Sequence, residues 1–153
     1  MTALAWQIAG TGDFDGDGYA DILWRNSSTG QNVIWFAANF AAQAQISAVA
    51  DQAWQVVGVG DFLGDGRSDI VWRNVNTGAN SIWHGALSSR QQGLIAVATD
   101  WSVAAIADYD GDARSDVLWH NGNTGANAIW KSGNSANRQA MATFPSTSWN
   151  IVK

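Results

Sequence analysis

The chain has 153 residues, 46% of them hydrophobic, with no cysteine and a formal charge of −5. Such a length and apolar content belong to a globular unit with a real core, which excludes a disordered tail, and the lack of cysteine excludes disulfides and thiolate metal sites. Eight scattered Lys and Arg exclude a nucleic-acid surface.

No apolar run approaches the roughly 18 residues of a membrane span. The opening "MTALAWQIAG" lacks the basic start and apolar middle of a secretory leader. The acidic residues carry more information. All thirteen are Asp, none is Glu, and eleven fall in three short windows. A solvated surface mixes both acids with Lys, so these carboxylates are placed for a purpose.

In chain order, the first predicted strand opens at Trp6 with "WQIAGTGDF" and runs into the acidic loop "DFDGDGYAD". A second strand, "ADILWRN", is followed by the turn residues "NSSTG", a short strand ending in "IW" at Trp35, and the run "AQISAVA". The pattern then repeats. Trp6, Trp54, Trp101 and Trp149 open matching segments, with steps of 48, 47 and 48 residues. The acidic loops begin at Asp13, Asp61 and Asp108, and "IW" recurs at Trp83 and Trp130. Self-similarity at this period marks a repeat architecture.

The expected fold is therefore all-β: three blades of four antiparallel strands, at about 5–50, 53–99 and 100–147, with an extra partial strand at 148–153. In "DILWRN" both alternating faces carry bulk, as in a strand covered on both sides by stacked sheets. The first strand of each unit instead carries small residues: Gly10 and Gly12, Gly58 and Gly60, Ala105 and Ala107. Backbones crowding toward a central axis need them.

The acidic loop starts as a helix-loop-helix calcium hand does, D-x-D-x-D-G. That hand needs a bidentate glutamate at position twelve, where this chain has Trp24, Trp72 and Trp119. Each loop is instead closed at position nine by an Asp that begins a strand. This predicts a β-hairpin calcium loop with side-chain oxygens from positions 1, 3, 5 and 9 and a backbone carbonyl from position 7. Loop one supplies Asp13, Asp15, Asp17, Asp21 and the Tyr19 carbonyl; loop two supplies Asp61, Asp65, Asp69 and the Arg67 carbonyl, with Leu63 at position three. Loop three supplies Asp108, Asp110, Asp112, Asp116 and the Arg114 carbonyl, with Ala113 where a glycine eases a positive φ. Ligand count and strain rank loop one above loop three and loop three above loop two. The plain alternative is that Asp and Gly only make turns. Against it, convergent carboxylates without a cation repel one another.

The segments "GTGDFDGDGYADILW", "GVGDFLGDGRSDIVW" and "AIADYDGDARSDVLW" resemble the FG-GAP or VCBS type of repeat of integrin-like β-propellers. The resemblance covers essentially the whole chain in three registered copies. It implies a propeller fold, calcium as the cofactor, and an extracellular or cell-surface role in binding or adhesion. Lectins with integrin-like propellers are more distant in look, and no diagnostic sugar motif is present here.

Trp24, Trp72 and Trp119 are expected between blades. Trp35, Trp83 and Trp130 follow Asn32, Asn80 and Asn127 by three residues, so each pair offers either a sugar platform or core packing. Arg25, Arg73 and His120 share one strand position that either lines a groove or reaches solvent. No nucleophile, base and orienter can be assembled, since His84 and His120 stand at slots that vary between units. A non-catalytic module is expected, with a glycan or a protein as its ligand. The other reading is a purely structural repeat unit whose small ligand is calcium alone. Closed propellers have about four to eight blades. Three blades would expose two apolar faces, so the expectation is a homodimer closing a six-bladed ring, or a fragment of a longer propeller.

Overall fold

The computed structural model describes residues 3–143 and 151–152. They form three four-stranded antiparallel sheets and no α-helix among the described residues. The first sheet contains β1 (Trp6–Gly12), β2 (Asp21–Asn26), β3 (Asn32–Trp35) and β4 (Gln43–Ile46). In the second are β5 (Trp54–Gly60), β6 (Asp69–Asn74), β7 (Asn80–Trp83) and β8 (Gln91–Leu94). The third holds β9 (Trp101–Ala107), β10 (Asp116–Asn121), β11 (Asn127–Trp130) and β12 (Arg138–Met141). Each sheet is a meander in chain order. The four-strand blade expected from the repeat is thus observed three times. Of the extra partial strand expected at 148–153, residues 148–150 and 153 lie outside the described residues, including Trp149.

Turn chemistry sets the meander. Asn26 Oδ1 accepts from the amides of Ser28 and Thr29, and Asn74 and Asn121 do the same in their own units. These Asx turns hold the "NTG"-type connection between the second and third strands.

The sheets stack through their first strands: β1 meets β5 and β5 meets β9. A register shift in each first strand leaves one residue bulged, Ala9 between Ile8 and Gly10, Val57 between Val56 and Gly58, and Ala104 in β9. The bulge turns Val56 toward the first sheet and Val57 toward the third, and each joins the corresponding core. Between sheets one and two lie Phe14, Leu23, Ile34, Ile70 and Trp72; between two and three lie Phe62, Val71, Ile82, Val117 and Trp119. All six residues of β6 are buried, as a strand covered on both faces should be.

The small residues have a specific reason. A Cβ on Gly10 would come within 2.7 Å of Val59 Cγ2, and one on Gly58 within 2.5 Å of Ile106 Cγ1. Gly12 and Gly60 face Ser68 and Ser115 of the next sheet in the same way. The next sheet's β-branched side chain occupies the space that a Cβ would need.

Arg25 and Arg73 do not reach out into solvent, and Arg25 borders an open cleft between sheets one and two. Both are buried, and each ties its sheet to the next. Arg25 Nη1 donates to Gly30 O and Asn32 Oδ1, Nη2 donates to Val49 O and Trp54 O, and the guanidinium lies 5.0 Å from the Trp72 ring centroid. Arg73 repeats this with Gly78, Asn80, Val97 and Trp101, 5.1 Å from the Trp119 ring. Burial lowers the pKa of both guanidiniums, but arginine remains charged. A buried guanidinium is tolerated because the carbonyls and the ring face replace water.

Gly58→Ala should destabilise the chain by about 1–3 kcal/mol through overpacking against Ile106. Gly93→Ala on the outer strand β8, where an added Cβ meets nothing within 4 Å, should leave the urea midpoint unchanged or slightly higher. Parallel urea titrations of the two variants check the contrast.

Candidate metal centre

Each acidic loop is organised by the carboxylate of its first residue. Asp13 Oδ1 accepts from the amides of Gly16 and Asp17 at 2.6 and 3.1 Å, and Oδ2 from Gly18 at 2.8 Å. Asp61 holds the amides of Gly64, Asp65 and Gly66, and Asp108 those of Gly111 and Ala113. Desolvation raises the Asp13 pKa, but the amide donors, Gly18 first, outweigh it and leave the carboxyl below its usual value. Asp108 is lowered chiefly by the Gly111 amide, against desolvation. Asp15 goes the other way, raised by desolvation and then by the neighbouring charges of Asp17, Asp21 and Asp13. Carboxylates that raise one another's pKa favour an added cation.

The sixth position has positive φ in every loop: +90° at Gly18, +83° at Gly66 and +66° at Ala113. The strain expected at Ala113 is present. An alanine in the left-handed region costs roughly 1–2 kcal/mol that glycine does not.

In loop one, single oxygens of Asp13, Asp15 and Asp17 lie within 4.8 Å of one another, and in loop three those of Asp108, Asp110 and Asp116 do. No such trio forms in loop two among the described residues, where Leu63 replaces the middle carboxylate. Asp112 lies outside the loop-three trio; its Oδ1 accepts from the Arg114 amide and its Oδ2 lies 3.5 Å from Ser132 Oγ. The amides of Tyr19 and Arg67, at position seven, donate to Asp17 and Asp65.

The position-nine aspartates have a role that the spacing did not reveal. Asp21, Asp69 and Asp116 are fully buried, and both oxygens of each accept backbone amides. Asp21 Oδ2 takes Phe14 N at 2.7 Å and Oδ1 takes Ala37 N at 2.8 Å. Asp69 takes Phe62 and Gly85, and Asp116 takes Tyr109 and Ser132. Each therefore staples the loop to the connection between the third and fourth strands. That connection turns on a positive φ at Ala37, Gly85 or Ser132. The visible signal is the small residue two places after each "IW".

The residue between that tryptophan and the small residue was likewise missed. His84 Nδ1 lies 3.2 Å from Asp69 Oδ2, without hydrogen-bond alignment, while its Nε2 meets Gln92 Oε1 at 2.9 Å. Lys131 Nζ lies 3.4 Å from Asp110 Oδ2. Loop one has Phe36 at this slot. Loops two and three thus carry a basic side chain of their own, while Arg67 and Arg114 of the following sheets lie on loops one and two.

Asn32, Asn80 and Asn127 are buried. The Asn32 amide donates to Gly30 O and Ser47 O while its oxygen accepts from Arg25, and the other two are engaged in the same way, Asn127 with His120 Nδ1 at 2.7 Å. Trp35, Trp83 and Trp130 lie on Trp24, Trp72 and Trp119, with ring centroids 4.8, 5.0 and 4.9 Å apart. Each of these tryptophans is thus packed on the strand tryptophan of its own sheet, and Trp130 and Asn127 also border an open cleft of about 600 Å³.

A family model described as an FG-GAP-like repeat matches residues 13–72 and 61–119, two overlapping stretches that run from the first aspartate of one loop to the strand tryptophan of the next unit. No curated protein and no solved structure matches the chain.

Asp69→Asn should destabilise by about 2–3 kcal/mol, because an amide NH2 would face one of two buried donors. The loss should persist in chelator, since this aspartate is in no carboxylate trio. Thermal denaturation with and without EDTA checks both points.

Proposed function

The chain belongs to the FG-GAP-like repeat family, and on that premise we propose that it is a non-catalytic calcium-binding β-propeller module acting in binding or adhesion outside the cell or at its surface. In this reading a second copy completes a six-bladed ring. The observation that carries the metal part is the pair of carboxylate trios in loops one and three, each with three oxygens within 4.8 Å. Oxygen-only donors suit a hard cation, and the loop's spacing suits calcium over magnesium, which holds its own waters in a stricter octahedron. Both histidines are held by amide side chains, Gln92 and Asn127, which supports a non-catalytic role.

A glycan is the ligand class this reading favours for the binding role. A supporting feature is an open cleft of about 430 Å³ between sheets one and two, whose polar lining includes Gln7, Arg25, Ser27, Gln52 and Gln55 beside Ile8 and Val56. Amides and a hydroxyl beside apolar surface are what a sugar ring uses. The second reading, a structural repeat unit with calcium as its only small ligand, is favoured by how fully the repeated polar residues serve the fold.

Calorimetric titration should find two calcium ions per chain. Asp15→Asn and Asp110→Asn should each remove one, and Leu63→Asp should add a third. At a hundredfold excess over the dissociation constant each site adds roughly 2.7 kcal/mol. A Tm that EDTA leaves unchanged would refute the metal reading.

Lys131→Met should tighten the weaker site by about threefold, the scale of one partly screened charge. For the glycan, tryptophan fluorescence titrated with a panel of simple sugars in saturating calcium should respond, and Gln55→Ala should abolish the response. Silence across the panel would leave the structural reading.

A further inference from the structure

Asp13 stands where β1 has ended and its loop begins. The ladder between β1 and β2 closes at the pair Gly12 and Asp21, and beyond it both main-chain groups of Asp13 are taken by one residue of the next sheet. The Asp13 amide donates to Ser68 Oγ at 3.0 Å, and the Asp13 carbonyl accepts from Ser68 N at 2.7 Å. Ser115 clasps Asp61 in the same way, at 2.9 and 2.8 Å. Room for the clasp comes from the strand end. A Cβ on Gly12 would come within 2.5 Å of Ser68 Oγ, so only glycine lets the serine reach across. Beside it, a Cβ on Gly16 would lie 3.2 Å from Arg67 Cγ and 3.6 Å from Gly66 O. Gly66, Arg67 and Ser68 of loop two thus lie across loop one.

The clasp bears on the ion site because of what Asp13 does within its own loop. Its carboxylate belongs to the trio with Asp15 and Asp17, and its two oxygens hold the amides of Gly16, Asp17 and Gly18. A backbone fixed on both sides of its Cα aims that carboxylate in one direction. The three units combine these features differently. Loop one has the clasp and the trio; loop two has the clasp at Asp61 without a trio; loop three has a trio without such bonds at Asp108 among the described residues.

We propose that Ser68 is a positioning residue for the ion site of loop one, so that the site belongs to two sheets. The first sheet supplies the carboxylates, and the second fixes the backbone that aims them. This rests on the metal reading above. Ser68 contributes no ligand and acts through Asp13, by preorganisation: an ion that meets a carboxylate already aimed does not have to offset the entropy of ordering it. Linkage makes the effect reciprocal, so an ion in loop one holds the first sheet on the second as well as closing its own hairpin.

Calorimetric calcium titration in an Asp110→Asn background, where the loop-three site is removed and loop one remains, tests this. Ser68→Ala should raise the dissociation constant of the remaining site about three- to tenfold, the scale of one hydrogen bond. Ser115→Ala removes the matching bond from Asp61, and should lower the urea midpoint by a similar amount while leaving that constant unchanged. Amide exchange in calcium-free buffer gives a second measure. Gly16, Asp17 and Gly18 should exchange faster in Ser68→Ala and at the parent rate in Ser115→Ala. Equal calcium affinity in the two serine variants, or loop-one exchange that Ser68→Ala does not change, would overturn the inference and leave the metal reading standing. A parent chain that takes up no calcium would overturn the metal reading and this inference with it.

Discussion

The close approach of neighbouring first strands is the constraint on which the structure depends. Sheets can stack at this distance only where one backbone offers no Cβ and the next offers a β-branched side chain to fill the gap, as Gly10 does for Val59 and Gly58 for Ile106. Once that contact is set, the bulge at Val57 divides the first strand of the middle sheet between two cores. The second strand of the middle sheet is then buried on both faces, and its tryptophan becomes a wall shared by two sheets. Large apolar residues supply the energy, but the glycines supply the geometry that lets them meet.

Polar groups are used in the same economical way. The arginine that follows the strand tryptophan makes its turn, its strand and the neighbouring sheet converge on one planar fork. Lysine has no such fork, and would reach one or two of these carbonyls at best. The position-nine aspartate does for the loop what the arginine does for the interface, accepting one amide from within the loop and one from the far side of the sheet. A buried carboxylate survives there because two amide donors replace its hydration. The acidic loops are therefore anchored before any cation enters. In the proposed calcium module the ion would add to a framework that the chain already holds, by offsetting the desolvation and, after it, the repulsion that raise the Asp15 pKa.

Variation between the three units is as informative as their sameness. Loop two lacks a carboxylate trio because of Leu63, and loop three carries a lysine beside Asp110 and strain at Ala113. The outer units depart from the middle one at Tyr19, Ala20, Ala105, Ala107 and Tyr109.

Much of this was legible in the chain itself. The spacing of Trp6, Trp54 and Trp101 determined three units, the turn residues determined four strands in each, and the alternating aspartates marked the loops, because period, turn propensity and ligand spacing are all local properties. The family follows from the same stretches. What the sequence could not decide was the use of each polar side chain once sheets faced one another. Arg25 and Trp83 look alike whether they face solvent, a ligand or a neighbouring sheet, and only the tertiary structure placed them in an interface. Asp21 reads as a ligand by spacing, yet its second amide partner lies sixteen residues away at Ala37, across a sheet. Contacts between distant segments carry no periodic signal of their own, so burial and partnership at these positions had to wait for the fold.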